Sequence, residues 1–208
     1  WGYEYPDENI IFESYMIEDK DLKADQPRLL AVDSEVVVKD LIEDMFETMY
    51  NANGVGLAAP QIAKSIRVFI VDTAPFSERG DDEDDFLTEE ERAQLSNLKK
   101  VFINPIILEE SGDKWPFNEG CLSIPGINED VMRQRDLVIE YYDENFELKE
   151  ETYTGLAARV IQHEYDHIEG ILFTDHLNPL RKQFLKKRLN DISRGKTNIQ
   201  YKMKFPKR

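Results

Sequence analysis

A chain of 208 residues with 41% hydrophobic and 33% charged residues has the composition of a water-soluble globular protein and is long enough for one domain with a substantial core. No apolar run approaches the roughly 18–20 residues that span a bilayer, which excludes a transmembrane reading, and no targeting segment is expected, since there is neither a basic start with an apolar core nor an Arg-rich amphipathic stretch. The net charge of -16 argues against a nucleic-acid-binding body, DNA included, and the single cysteine, Cys121, precludes an intramolecular disulfide and favours a reducing, cytoplasmic setting.

Residues 1–33 are acidic and weakly periodic, broken by Pro6 and Pro27, and an irregular segment is expected there. Ser34 then reads as a helix N-cap, because Val38, Leu41, Ile42, Met45, Phe46 and Met49 recur at helical spacing until Asn53-Gly54. The stretch Gly54-Val55-Gly56-Leu57-Ala58-Ala59-Pro60-Gln61 is expected to be a loop of small residues that lets backbone approach a ligand. It lacks the Lys-Ser or Lys-Thr pair of a phosphate loop. Ile66–Val71 and Val101–Leu108 read as strands, the second interrupted by Pro105. Between them lies an acidic insertion, residues 76–98. It holds nine acids over positions 78–91, without the ligand spacing of a calcium loop, and then a Thr88/Glu91 capping box for a short helix through Leu98.

Further on, Asn118–Gly126 reads as a glycine-bearing turn leading into a prolyl bend, and Leu137–Tyr142 with Phe146–Tyr153 as an antiparallel hairpin. A helix follows over Leu156–Ile168, with Gly170 as its stop, and Asn178 and Pro179 launch a last helix through Leu180, Phe184, Leu185 and Leu189. Residues 179–208 are basic: from Arg181 onward, eleven lysines and arginines stand against Asp191 alone. That stretch is either a solvated face or a surface for a polyanion such as RNA. Without repeats or βαβ alternation, the order implies an α+β fold in one domain, with antiparallel sheets packed around the helix of residues 156–168 and a C-terminal helix.

The chemistry concentrates in Gln162-His163-Glu164-Tyr165-Asp166-His167. Two histidines four apart project from one face of a helix with about 3.6 residues per turn, and a glutamate beside the first reaches the same space. His-Glu-x-x-His binds a divalent metal, but a hydrolytic site needs a third protein ligand and an open position. The metzincin pattern fails because Phe173 stands where its third histidine belongs. Glu169 is too near to turn back, and His176 reads as structural or exposed. Upstream, Cys121 is the attractive candidate, although a lone cysteine is by itself more often a small buried apolar side chain.

Taken together, the segments Gly54–Gln61, Glu119–Ser123 and Gln162–His167 resemble the peptide deformylase family in order and spacing, over roughly residues 34–195. The N-terminal segment lacks the family's Gly-Asp-Pro-x-Leu-Arg type opening, and the acidic insertion is a second departure. The resemblance implies a metal held by Cys121, His163 and His167 with water as fourth ligand. Iron(II) is the physiological metal it suggests, and the same donors accept zinc, nickel or cobalt. It implies that Glu164 handles the water's proton, and that the Gln61 amide and the Leu122 N–H stabilise the oxyanion as the formyl group leaves an N-formylmethionyl nascent chain. Val55 and Val160 are the pocket-wall candidates, Arg159 lends its stem or stays at the rim, and Gly56 belongs to a stretch expected to pair with the peptide backbone. Glu119 is expected to pair with Arg133 behind the metal ligands. The basic C-terminal helix is expected to touch ribosomal RNA, so that removal of residues 196–208 spares small-peptide turnover. A general metalloprotease and an idle formyl-peptide-binding homologue are the competing readings.

Overall fold

In a computed structural model, residues 12–13, 35–77 and 87–205 are described. Ser34, the rest of the N-terminal segment and the acid run 78–86 lie outside them. Strand β1 (Phe12–Glu13) is two residues long. Helix α1 (Glu35–Asn51) follows the apolar stripe, burying Leu41, Ile42, Met45 and Met49. It stops where Asn53 takes a left-handed φ of 56° and the Gly54 N–H donates to the Met49 carbonyl.

The small-residue stretch is not wholly a loop. Gly56–Ala58 is strand β2, paired antiparallel with β3 (Val68–Asp72), and a 3-10 turn over Ala59–Ile62 follows it. All three of its residues are buried, Leu57 in the core and Gly56 and Ala58 small enough for close approach. A single helical turn, α2 (Ala74–Ser77), precedes α3 (Glu89–Asn97). The reciprocal cap of α3 has the Glu91 N–H donating to Thr88 Oγ1 at 3.1 Å and the Thr88 N–H to Glu91 Oε2 at 2.9 Å.

Strand β4 (Lys99–Ser111) runs further than expected at both ends. Pro105 does not interrupt it; a register shift between Ile103 and Ile106 absorbs the missing N–H, and the neighbouring Asn104 N–H bonds to the Arg67 carbonyl at 2.8 Å. The expected turn over 118–126 is instead most of a hairpin, β5 (Trp115–Cys121) and β6 (Ile124–Arg133), with Leu122-Ser123 as its tip. Strands β7 (Asp136–Tyr142) and β8 (Leu148–Thr154) form the second hairpin. Phe146 falls in its turn, at φ 60°, because Asp143 Oδ1 gathers the N–H groups of Asn145 and Glu147 at 2.9 and 3.0 Å. Helix α4 (Gly155–Ile168) and helix α5 (Pro179–Ser193) complete the main elements, and β9 (Met203–Lys204) pairs with β1. Asn178 caps α5 as expected, its Oδ1 accepting from the Arg181 N–H at 2.9 Å. Leu180 and Phe184, however, are 64% and 69% exposed, and it is Leu185 and Ile192 that pack inward.

The architecture is α+β. One antiparallel sheet has the order β2-β3-β4-β7-β8 and a second holds β5-β6. Strand β3 reads as a continuous apolar run because both of its faces are covered. Phe69 and Val71 meet Ala158 and Ile161 of α4, while Val68 and Ile70 meet Met45 and Met49 of α1. Each large side chain so buried contributes roughly 1.5–3 kcal/mol. The β5-β6 hairpin closes the third side, its Ile124, Ile127 and Val131 packed with Phe173, Leu185 and Ile192.

Candidate metal centre

Helix α4 is buried over nearly its whole length, which carries polar residues into the interior: His163, Glu164 and His167 are all less than one-tenth exposed. Cys121 ends β5 opposite them, and its Sγ lies 3.2 Å from His167 Nε2. Donor atoms of Cys121, His163 and His167 fall within 4.8 Å of one another, the one such group of metal-ligating residues among those described. Burial alone would raise the Cys121 thiol, but His167 and His163 outweigh it and hold it well below its usual value, favouring the thiolate that a metal needs.

The second nitrogen of His163 is committed. Its Nδ1 lies 2.9 Å from Glu119 Oε2, which leaves Nε2 toward the sulfur, the arrangement in which a carboxylate orients a metal-binding imidazole. Glu119 itself is 4% exposed. Arg133 donates to both of its oxygens, from Nε at 2.8 Å and Nη2 at 3.1 Å, and Arg159 Nη1 donates to Oε1 at 2.9 Å. Burial would raise this carboxyl, but the bonds from His163 and Arg133 hold it well below the usual range. Arg133 continues to Asp166 Oδ2 at 2.7 Å, which also meets His176 Nε2 at 2.7 Å. The expected Glu119–Arg133 pair is therefore the centre of a longer chain. Asp166, three residues from His163 on the same helix, was its readable extension.

Arg159 is not at a rim. It is 2% exposed, lies over the Trp115 ring at 4.6 Å, and its Nη1 and Nη2 also donate to the carbonyls of Val131 at 3.0 Å and Trp115 at 2.7 Å. Phe173 packs its ring against that of His163, with centroids 6.1 Å apart. Glu169 points away to Arg67, 2.6 Å distant.

A cavity of about 620 Å³ opens on these groups, within the usual size of a small-ligand site. Val55, Gly56, Gln61, Glu119, Cys121, Leu122, Arg159, Val160, His163 and Glu164 all line it, so that of the site residues singled out by sequence His167 and Arg133 alone stand back from it. Glu164 Oε2 is buried and has no hydrogen-bond partner among the described residues. Burial, opposed by the two histidines, pushes its carboxyl up to about 7. Gln61 is set by its own loop: its Oε1 accepts from the Ala58 N–H at 2.8 Å, turning Nε2 toward Ser123 Oγ at 3.1 Å and Cys121 Sγ at 3.7 Å. Sequence reasoning missed one wall. Asn198–Tyr201 of the C-terminal segment also line the cavity, and nothing in that polar, basic stretch signals it.

A thiolate and two imidazoles, one of them oriented by a carboxylate, suit a tetrahedral metal with one open position, and an acid without a partner stands beside them. Fold and donor set together make the class that of a metal-dependent hydrolase. The profile described as polypeptide deformylase matches residues 16–183, leaving the cavity-lining tail outside the match, and the chain belongs to that family. It is 57% identical to the peptide deformylase of Christiangramia forsetii, over 90% of this chain and 88% of that one. With the peptide deformylase of Flavobacterium psychrophilum the identity is 56%, over 81% and 84%. A crystal structure of a peptide deformylase from Legionella pneumophila superposes with a TM-score of 0.67 at 32% identity, covering 90% and 96% of the two chains. One from Synechococcus elongatus in complex with actinonin gives 0.64 at 33%, covering 78% and 80%. No helix among the described residues is long and apolar enough to cross a membrane.

Proposed function

We propose that this protein removes the formyl group from the N-formylmethionyl end of newly made chains, releasing formate, and that Cys121, His163 and His167 hold the one metal ion it needs. The observation that carries this reading is the buried Glu164 carboxyl, its Oε2 without a hydrogen-bond partner among the described residues, on the cavity that Cys121 and His163 also line and beside the Cys121–His163–His167 donor group. Iron(II) is the proposed physiological metal from the family, and the donor set also accepts zinc, nickel and cobalt, with raw affinity favouring zinc over ferrous iron.

When bound, such a metal polarises the formyl carbonyl and acidifies a water toward neutrality. Glu164 Oε2 would take a proton from the water whose oxygen adds to the formyl carbon, and return it to the α-amine as the C–N bond breaks and that oxygen leaves in the formate. Gln61 Nε2 and the Leu122 N–H donate to the carbonyl oxygen as charge gathers on it. Strand β2, at the edge of its sheet, and Val55 just before it offer backbone to an extended peptide, and Val55 and Val160 wall the methionine side chain. Arg159 lines the cavity with its stem and contributes by holding Glu119 and the β5-β6 hairpin in place, both of its terminal nitrogens being engaged by protein groups.

The exposed face of α5, where Leu180, Phe184, Lys186 and Lys187 lie, is the proposed contact with ribosomal RNA. Not all the basic residues are available to it, since Arg181 binds Glu129 at 2.6 Å and Arg188 bonds the Gly126 carbonyl.

Metal content together with formate release from formyl-Met-Ala-Ser tests the assignment. Stoichiometric metal with formate production is expected. Cleavage of internal peptide bonds without formate would move the protein to the general metalloproteases, and metal binding without turnover would make it an idle homologue.

A further inference from the structure

The chain does not leave the site after α5. Gly195 adopts φ 74°, its N–H bonds to the Ile192 carbonyl at 2.8 Å and the Lys196 N–H to Asp191 at 2.9 Å, the paired bonds that end a helix and reverse the chain. A Cβ on Gly195 would sit 3.1 Å from the Phe205 ring, so the returning strand passes close over the turn. Between these points the segment reaches the cavity, and Tyr201 Oη donates to the Leu122 carbonyl at 2.7 Å. Its phenol is pushed up to about 12 by burial and the nearby Cys121, so it stays a donor through the neutral range.

Leu122 and Ser123 are the two residues between paired Cys121 and Ile124. In a planar trans peptide the carbonyl and the following N–H point to opposite sides. Anchoring the Leu122 carbonyl therefore aims the Ser123 N–H, which donates to Cys121 Sγ at 3.4 Å. The same turn places Ser123 Oγ, the acceptor for Gln61 Nε2. We propose that Tyr201 is a positioning residue for the Cys121 sulfur, acting through the Leu122–Ser123 peptide, and that the Asn198–Tyr201 segment is a built wall of the substrate cavity. This rests on the reading of Cys121 as a metal ligand.

The test uses the full chain loaded with cobalt(II), which reports sulfur ligation through its sulfur-to-metal charge-transfer absorption. Tyr201→Phe removes only the hydroxyl. The expected result is a shifted band, Tm within about 2 °C of the parent, and a kcat on formyl-Met-Ala-Ser lower by about tenfold with little change in KM, the lower end for groups that orient metal ligands. Tyr201→Ala also removes the ring from the wall and raises KM as well. A Tyr201→Phe protein with parental band and kcat overturns the proposal. So does a loss of kcat accompanied by a Tm drop beyond about 10 °C and an unshifted band, because that pattern assigns Tyr201 to packing alone. If the parent chain binds cobalt yet releases no formate, the deformylase reading fails while the band comparison still decides whether Tyr201 positions the Cys121 sulfur.

Discussion

A Cβ atom on Gly56 would lie 2.4 Å from Glu164 Oε1 and 2.7 Å from its Cγ and Cδ, so strand β2 and helix α4 meet where no side chain fits. The Glu164 carboxylate is thus wedged against backbone at the cavity, with its other oxygen buried and without a hydrogen-bond partner among the described residues. Gly56→Ala is expected to fold with little loss, because a single side chain can swing aside, but the swing carries the carboxylate out of place. Turnover should fall by about 100-fold, the usual consequence of a displacement near 1 Å. Near-parental kcat in a metal-replete Gly56→Ala protein would show that Glu164 has slack.

Direct removal of the acid separates its chemistry from its packing. Glu164→Ala should retain stoichiometric metal, since the donors are Cys121, His163 and His167, while kcat drops by about 10²–10⁴-fold. Metal analysis alongside formate release measures both. Activity surviving nearly intact would remove the proton-transfer role from Glu164.

Behind the ligands, Glu119 holds two arginines and one histidine in the interior. Glu119→Gln keeps the volume and deletes the charge, leaving Arg133 with Asp166 and Arg159 with carbonyls alone. Breaking a buried set in this way costs about 3–5 kcal/mol, and metal affinity should fall by about 10- to 100-fold. The sign with pH follows from the depressed folded-state pKa. The carboxylate's stabilisation is fully present above its unfolded pKa, about 4.3, and is lost as pH falls below it. Denaturant melts of parent and variant should therefore differ most near neutrality and converge in acid. Equal stabilities at pH 7 would mean that the network is offset elsewhere.

That network also explains what could be read from the chain and what could not. Helix α4 was legible because Leu156, Val160 and Ile161 give the helical period and the two histidines fall on one face; the cap of α3 was legible because Thr88 and Glu91 bond to each other's backbone. The β5-β6 hairpin was not, since the inward positions of β6 alternate Ile127, Glu129, Val131, Arg133. Half of that alternation is charged, satisfied by Arg181 and Glu119, so no period-two apolar signal survives. Strand β2 is three residues, Gly56-Leu57-Ala58, too short for a period and paired through β3. Gly195 after α5 signals a helix stop, but where the chain goes next, and the bond from Tyr201 to the Leu122 carbonyl far away in sequence, leave no local pattern to detect.

The same wall changes how ribosome binding has to be tested. Removing residues 196–208 is not expected to spare small-peptide turnover, because it takes away Tyr201 and its bond to Leu122. Lys186 and Lys187 are exposed on α5 and lie outside the cavity, so Lys186→Ala with Lys187→Ala isolates the electrostatic contribution. Formate release from a short peptide should be unchanged, while cosedimentation with ribosomes weakens and its log–log salt slope falls by about 1 for each phosphate left without its lysine. Phe184, 69% exposed one turn before Lys187, gives the face a ring for stacking, and Phe184→Ala should weaken binding without altering that slope. An unaltered salt slope in the double lysine variant would return α5 to a solvated helix face.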